Sequence, residues 1–138
     1  MLVEDLDSSC MRFESSAMFK HMNDAMEKLK RFLEKFGVTD FSGPSVVLLE
    51  LLKNAVNHGC NGNNETKVSA VVKHIRDKEF KIVVEDGGKG FEFRNLDLKL
   101  PEDPRRIQMR GYKLINALSD RLEFNERGNC ITAYISAS

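Results

Sequence analysis

Glu50, Asn54 and His58 stand four residues apart along the chain, with Asn57 beside them. On a helix of 3.6 residues per turn, that spacing puts a carboxylate, an amide and an imidazole on one face. Their neighbours Val46, Val47, Leu48, Leu49, Leu51, Leu52, Ala55 and Val56 are apolar around most of the circumference. Much of such a helix is expected to be buried. Polar side chains are costly to bury without partners. Two readings fit. Either the polar stripe faces solvent, or it builds a site with an oxygen ligand for a metal, a base and a polar wall.

A second cluster lies further on. Phe80, Ile82, Val84 and Asp86 share one strand parity and point to one face. Asp86 therefore continues an apolar row with a carboxylate. It either caps the following turn or accepts a hydrogen bond from a donor such as the exocyclic amine of a ligand. The run Gly87, Gly88, Lys89, Gly90 follows directly. Gly88 and Gly90 allow a close backbone approach that other residues forbid.

These clusters need elements to hold them. Residues 10–14 alternate as a short strand. Ser15 or Ser16 then caps a helix whose buried stripe is Phe19, Met22, Met26, Leu29, Leu33 and Phe36, with Gly37 as its stop. Ser42 caps the second helix, Pro44 sits in its first turn, and it runs to about His58 before Gly59. Residues 68–75 and 80–85 are predicted strands, joined by a polar link over 76–79. Residues 92–109, with Pro101 and Pro104, lack periodicity and suit a lid over a site. A helix over 112–118 and strands over 121–125 and 130–136 complete the order β-α-α-β-β-lid-α-β-β. That order predicts an α+β fold, a two-layer sandwich.

Composition narrows the function. At 138 residues the chain fits a single domain. Lys plus Arg equals Asp plus Glu, 21 each, which argues against a dominant nucleic-acid or anionic-membrane surface. No apolar run approaches the roughly 20 residues of a membrane span. Residues 1–9 are acidic and lack the basic-then-apolar pattern of a secretion signal. Cys10, Cys60 and Cys130 form no CxxC pair, so a reducing cytoplasm is expected. The sequence has neither a GxxxxGK[ST] loop nor a GxGxxG fingerprint, and it lacks the HRD and DFG set of eukaryotic-type protein kinases. A nucleotide site here must have another design.

Together these segments resemble the GHKL (Bergerat-fold) ATPase superfamily, which includes gyrase, heat-shock chaperone, histidine kinase and mismatch-repair ATPases. The run from Glu50 to Gly59 is similar to its N box. Asp86, Gly88 and Gly90 match its DxGxG box. Arg110, Gly111 and Tyr112 match its second glycine box, and the strand pair after Gly128 matches its closing hairpin. The E-x-x-x-N-A-x-x-H-G form and the leading strand and helix most resemble the bacterial anti-sigma-factor serine/threonine kinases.

The resemblance implies a mostly antiparallel mixed sheet with helices on one face. It implies ATP and Mg2+ as cofactors, with Asn54 as the magnesium ligand and Glu50 as general base. Asp86 would accept the adenine amine, and Gly88, Lys89 and Gly90 would pass around the base. Asn57 and His58 would line the nucleotide, and Arg110 and the Gly111 amide would meet phosphates. Arg105 and Arg106, in the lid, either reach phosphate or form a solvated pair. The implied partners are a sigma factor, a STAS-domain antagonist that is phosphorylated on serine, and a second copy in a homodimer. No nucleic acid or membrane is implied. The alternative is a module of the same fold that sequesters a partner without phosphorylating it. Two positions depart from the family pattern: Met109 stands where a glycine is usual, and Asn129 where threonine is usual near the adenine.

Overall fold

The computed structural model describes residues 3–6, 9–16, 18–56, 67–87, 110–125 and 129–138. Strand β1 (Val3–Leu6) pairs with β2 (Cys10–Ser15), and a 3-10 turn (Met18–His21) leads into helix α1 (Met22–Glu34). Helix α2 is Ser42–Asn54, and β3 (Val68–Arg76) and β4 (Glu79–Asp86) form a hairpin. Helix α3 (Arg110–Leu118), β5 (Arg121–Phe124) and β6 (Cys130–Ser136) follow. The strands form one six-stranded sheet in the order β1-β2-β3-β4-β6-β5. Among the described residues every pairing between them is antiparallel, so the sheet is not the mixed one that the resemblance implies. This is the α+β two-layer fold that the element order predicts.

Alternation along the strands explains the layers. Met11 and Phe13, Val68, Ala70 and Val72, Phe80, Ile82 and Val84, and Ile131, Ala133 and Ile135 are buried. Between them Arg12, Lys73 and Glu85 are exposed on the opposite face. The helices supply the other half of the core through Ala25, Leu29, Phe32 and Leu33 of α1 and Val47, Leu48, Leu51 and Leu52 of α2. Of the stripe predicted for the first helix, Met22, Leu29 and Leu33 are buried, and Met26 and Phe36 pack partly buried against the core. Phe36 stacks on His74 at 4.0 Å between ring centroids and meets Phe80 edge-on at 5.6 Å. Such pairs add roughly 0.5–1.5 kcal/mol each beyond area burial. They fix the C-terminal end of α1 on the β3–β4 hairpin.

Four local features differ from the sequence expectation. Val3–Leu6 forms an edge strand although Glu4 and Asp5 break any alternation. Its pairing is a backbone matter, and charged residues are ordinary at a sheet edge. Neither Ser15 nor Ser16 is the N-cap of α1, a position held by His21. Ser15 closes β2 opposite Val68, and the 3-10 turn intervenes before α1. At α2 the N-cap position is Phe41, without a side-chain cap, and Ser42 instead bonds back to Asp40. Asp40 Oδ1 accepts the Ser42 amide at 3.0 Å and its hydroxyl at 2.6 Å. The Ser42 hydroxyl, then its amide, hold the Asp40 carboxyl below the usual carboxylate range. Finally, the link between β3 and β4 shrinks to Asp77 and Lys78, with Asp77 at φ 47°. Aspartate tolerates that left-handed geometry, which tight hairpins need.

Gly37 ends α1 in the way its position suggests. The Val38 amide donates to the Leu33 carbonyl at 3.4 Å and the Gly37 amide to Glu34 at 3.1 Å. This is a Schellman closure, with Val38 and Leu33 both in the core. Gly37 has φ +81°, and a Cβ there would meet nothing closer than Lys78 Cε at 3.9 Å. The cost of substitution is therefore backbone strain alone. Gly37→Ala should lower stability by about 1–2 kcal/mol. Gly37→Asn should lose clearly less, because asparagine visits this region readily. Urea melts of the two variants check the order.

Candidate functional site

Helix α2 packs across β4 and β6 and against α3. Its buried line runs Pro44, Val47, Leu51 and then Asn54, at spacings of three and four. Asn54 therefore ends an apolar stripe with an amide and is only 7% exposed. Its Nδ2 is buried with no hydrogen-bond partner. Leaving such a group unmet costs about 1–3 kcal/mol. Burying Leu48, Leu51 and Leu52 returns roughly 1.5–3 kcal/mol each, so the helix carries that cost. Directly after Asn54 the helix widens into a π turn at Ala55 and Val56. Such widenings are frequent at functional sites.

Glu50 lies one turn before Asn54 on the same face. Its side chain is 19% exposed and its Oε1 lies 3.6 Å from Lys53 Nζ. These burials bear on the Glu50 and Asn54 part of the polar stripe alone. At Glu50 and Asn54 it does not face open solvent. The solvent side of α2 is marked instead by Ser42 and Lys53.

Asp86 ends the buried row Phe80, Ile82, Val84 as parity predicts, and is itself 7% exposed. Its amide donates to the Asn129 carbonyl at 2.9 Å. The Asn129 Nδ2 donates back to the Asp86 carbonyl at 3.1 Å. This end of the sheet is electronegative. Burial, then the charges of Glu85 and Asp86, push the Cys130 thiol above its ordinary range. A carboxylate in that setting favours a hydrogen-bond donor as its ligand.

Arg110 and Gly111 open α3, which packs on α2. Asn57, His58, Gly88, Lys89, Gly90, Arg105, Arg106, Met109 and the expected lid over 92–109 lie outside the described residues. The structure thus places Asn54 and Glu50 on one helix face, and Asp86 at the end of the sheet beneath that helix layer. Sequence reasoning missed two features. Lys113 on α3 is 2% exposed, and nothing in its spacing marks it out. Asn125 and Asn129 form a bonded pair between β5 and β6. Two asparagines four apart around Gly128 are a local sequence signal.

The fold is thus an α+β domain with a helix layer on one face of an antiparallel sheet, a buried amide on a helix and a buried carboxylate at a strand end. The sequence profile of the histidine kinase-like ATPase domain matches residues 16–135, and the chain belongs to that family. No curated protein matches the chain. The family implies ATP binding, usually with magnesium. The donors fit that pair. Asn54 presents a buried amide whose side-chain oxygen suits a hard cation, while its unmet Nδ2 is a donor that takes an acceptor rather than a metal. Among the described residues no group of three His, Cys, Asp or Glu side chains forms a metal cage. Magnesium commonly takes one or two protein ligands, the rest being phosphate oxygens and water. Among the described residues, no helix is long and apolar enough to cross a membrane.

Proposed function

We propose that the chain is an ATP- and Mg2+-dependent serine/threonine kinase of the anti-sigma-factor type. It would bind a sigma factor and phosphorylate a serine on a STAS-domain antagonist. The observation that carries this reading is the buried Asn54 amide one turn from a half-buried Glu50. Asn54 would hold the cation, which when bound offsets charge on the transferring phosphoryl group. Glu50 would take the proton from the attacking serine hydroxyl. Asp86 would accept the adenine amine, while Arg110 and the Gly111 amide at the start of α3 would meet phosphates, since helix N-termini favour anions. Asn57, His58, Gly88, Lys89 and Gly90 would complete the nucleotide's surroundings. A homodimer through the sheet face near β1 and β2, in the cytoplasm, belongs to the same proposal.

The test is incubation with labelled ATP, magnesium and STAS-domain proteins from the same genome. Label on a serine of one of them is the expected result. No transfer to any, with Glu50→Ala behaving as wild type, overturns the proposal. A binding-only module is favoured by Met109 in place of a hinge glycine and by Asn129 in place of threonine. Calorimetry separates the two, because absence of ATP binding at millimolar concentration supports the binding-only module.

A further inference from the structure

Asn129 sits where the resemblance expects a threonine near the adenine, and its bonding differs in kind from a direct ligand contact. Its main chain and side chain are tied on two sides. Toward the turn, its amide donates to Asn125 Oδ1 at 3.0 Å, and its Oδ1 accepts Asn125 Nδ2 at 2.5 Å. Toward the sheet, its carbonyl accepts the Asp86 amide and its Nδ2 donates to the Asp86 carbonyl. Asn125 is locked in turn, because its Oδ1 also accepts the Cys130 amide at 3.1 Å.

The amide orientations follow from this network. Two backbone N–H groups point at one atom of the Asn125 amide, so that atom must be oxygen. The Asn125 NH2 then faces Asn129, which must present its own oxygen. That leaves the Asn129 NH2 facing the Asp86 carbonyl, the one arrangement in which every contact is donor to acceptor.

The register shows what this achieves. The β4–β6 ladder ends at the pair Glu85 and Cys130. Asp86 lies one residue beyond it, just before a glycine run, where a strand end would fray. Both the N–H and the C=O of Asp86 are instead bonded to Asn129, which supplies one further rung with a side-chain donor.

We infer that Asn129, backed by Asn125, is a positioning residue for Asp86 and thereby sets discrimination for a purine bearing an exocyclic amine. The inference rests on the proposed role of Asp86 as acceptor of that amine. Asn129 does not touch the base in this account. It fixes the Cα from which the carboxylate projects, and hydrogen-bond strength falls steeply with misalignment.

The experiment measures affinity for ATP and for inosine triphosphate, whose base has a carbonyl in place of the amine. The proteins are wild type, Asp86→Ala, Asn129→Ala and Asn125→Ala, each with its melting temperature. Wild type is expected to prefer ATP, and Asp86→Ala to lose that preference. Asn129→Ala should cut the ATP-to-inosine ratio about tenfold, the equivalent of one well-placed hydrogen bond. Asn125→Ala, at a more exposed position one bond further from Asp86, should shift the ratio the same way by less. A general loss of stability would weaken both nucleotides equally and leave the ratio alone. An unchanged ratio in Asn129→Ala and Asn125→Ala overturns the inference while leaving ATP binding intact. A wild type without preference, or a preference that survives in Asp86→Ala, removes the Asp86 role and the inference with it.

Discussion

Glu50→Ala should lower phosphoryl transfer by about a hundred- to ten-thousand-fold, the range for losing a general base. ATP affinity should change by only a few-fold, because the proposed cation ligand is Asn54 and the proposed base contact is Asp86. The fold should survive as well. The Glu50 partner in the structure is Lys53, which is 46% exposed, at 3.6 Å. An ion pair with so exposed a member is worth about 0–1 kcal/mol. Lys53→Ala is the control that separates chemistry from pairing. If Glu50 served only Lys53, the two variants would lose equally little activity. Single-turnover transfer from labelled ATP, read beside thermal melts, gives the answer. Near-equal rates in Glu50→Ala and Lys53→Ala would remove Glu50 from the catalytic step.

The features legible in the sequence were those written as periodicity. The row Phe80, Ile82, Val84, Asp86 is buried from end to end because a strand has a fixed period of two, and parity alone decides its face. The stripe through Met22, Leu29 and Leu33 is equally direct. Helix α2 was harder, since its apolar residues cover most of its circumference. Periodicity alone did not say whether Glu50 and Asn54 faced water, and only packing against α3 and the sheet settled it. Helix starts were misread where the chain offered competing hydroxyls. Ser15 was claimed by the β2–β3 ladder, and Ser42 became the donor in a bond whose acceptor is Asp40. The tie from Asn129 to Asp86 was illegible for another reason. It joins residues 43 apart in sequence, so no local pattern encodes the contact. Strand β1 was hidden because backbone pairing at a sheet edge asks little of side chains.

Asn54→Leu should make the nucleotide-free protein more stable, by about 1–3 kcal/mol, and should abolish its stabilisation by MgATP. The two side chains are close in size, and the position continues the line Pro44, Val47, Leu51. In the wild type that line ends on an amide nitrogen buried without a partner. Leucine removes the unmet polar atom and adds apolar burial, so both terms favour the variant when no ligand is bound. The wild type should regain the difference through mass action. A ligand at a hundred times its dissociation constant stabilises the native state by about 2.7 kcal/mol. The two melting curves should therefore exchange order between buffer and saturating MgATP. Scanning calorimetry with and without MgATP tests both halves. A variant less stable than wild type in buffer would mean that the amide is met within the protein. A variant still stabilised by MgATP as strongly as wild type would mean that Asn54 holds no part of the bound complex. The exchange of order would show the residue retained at a cost to the free fold, which is the physical mark of a group kept for binding.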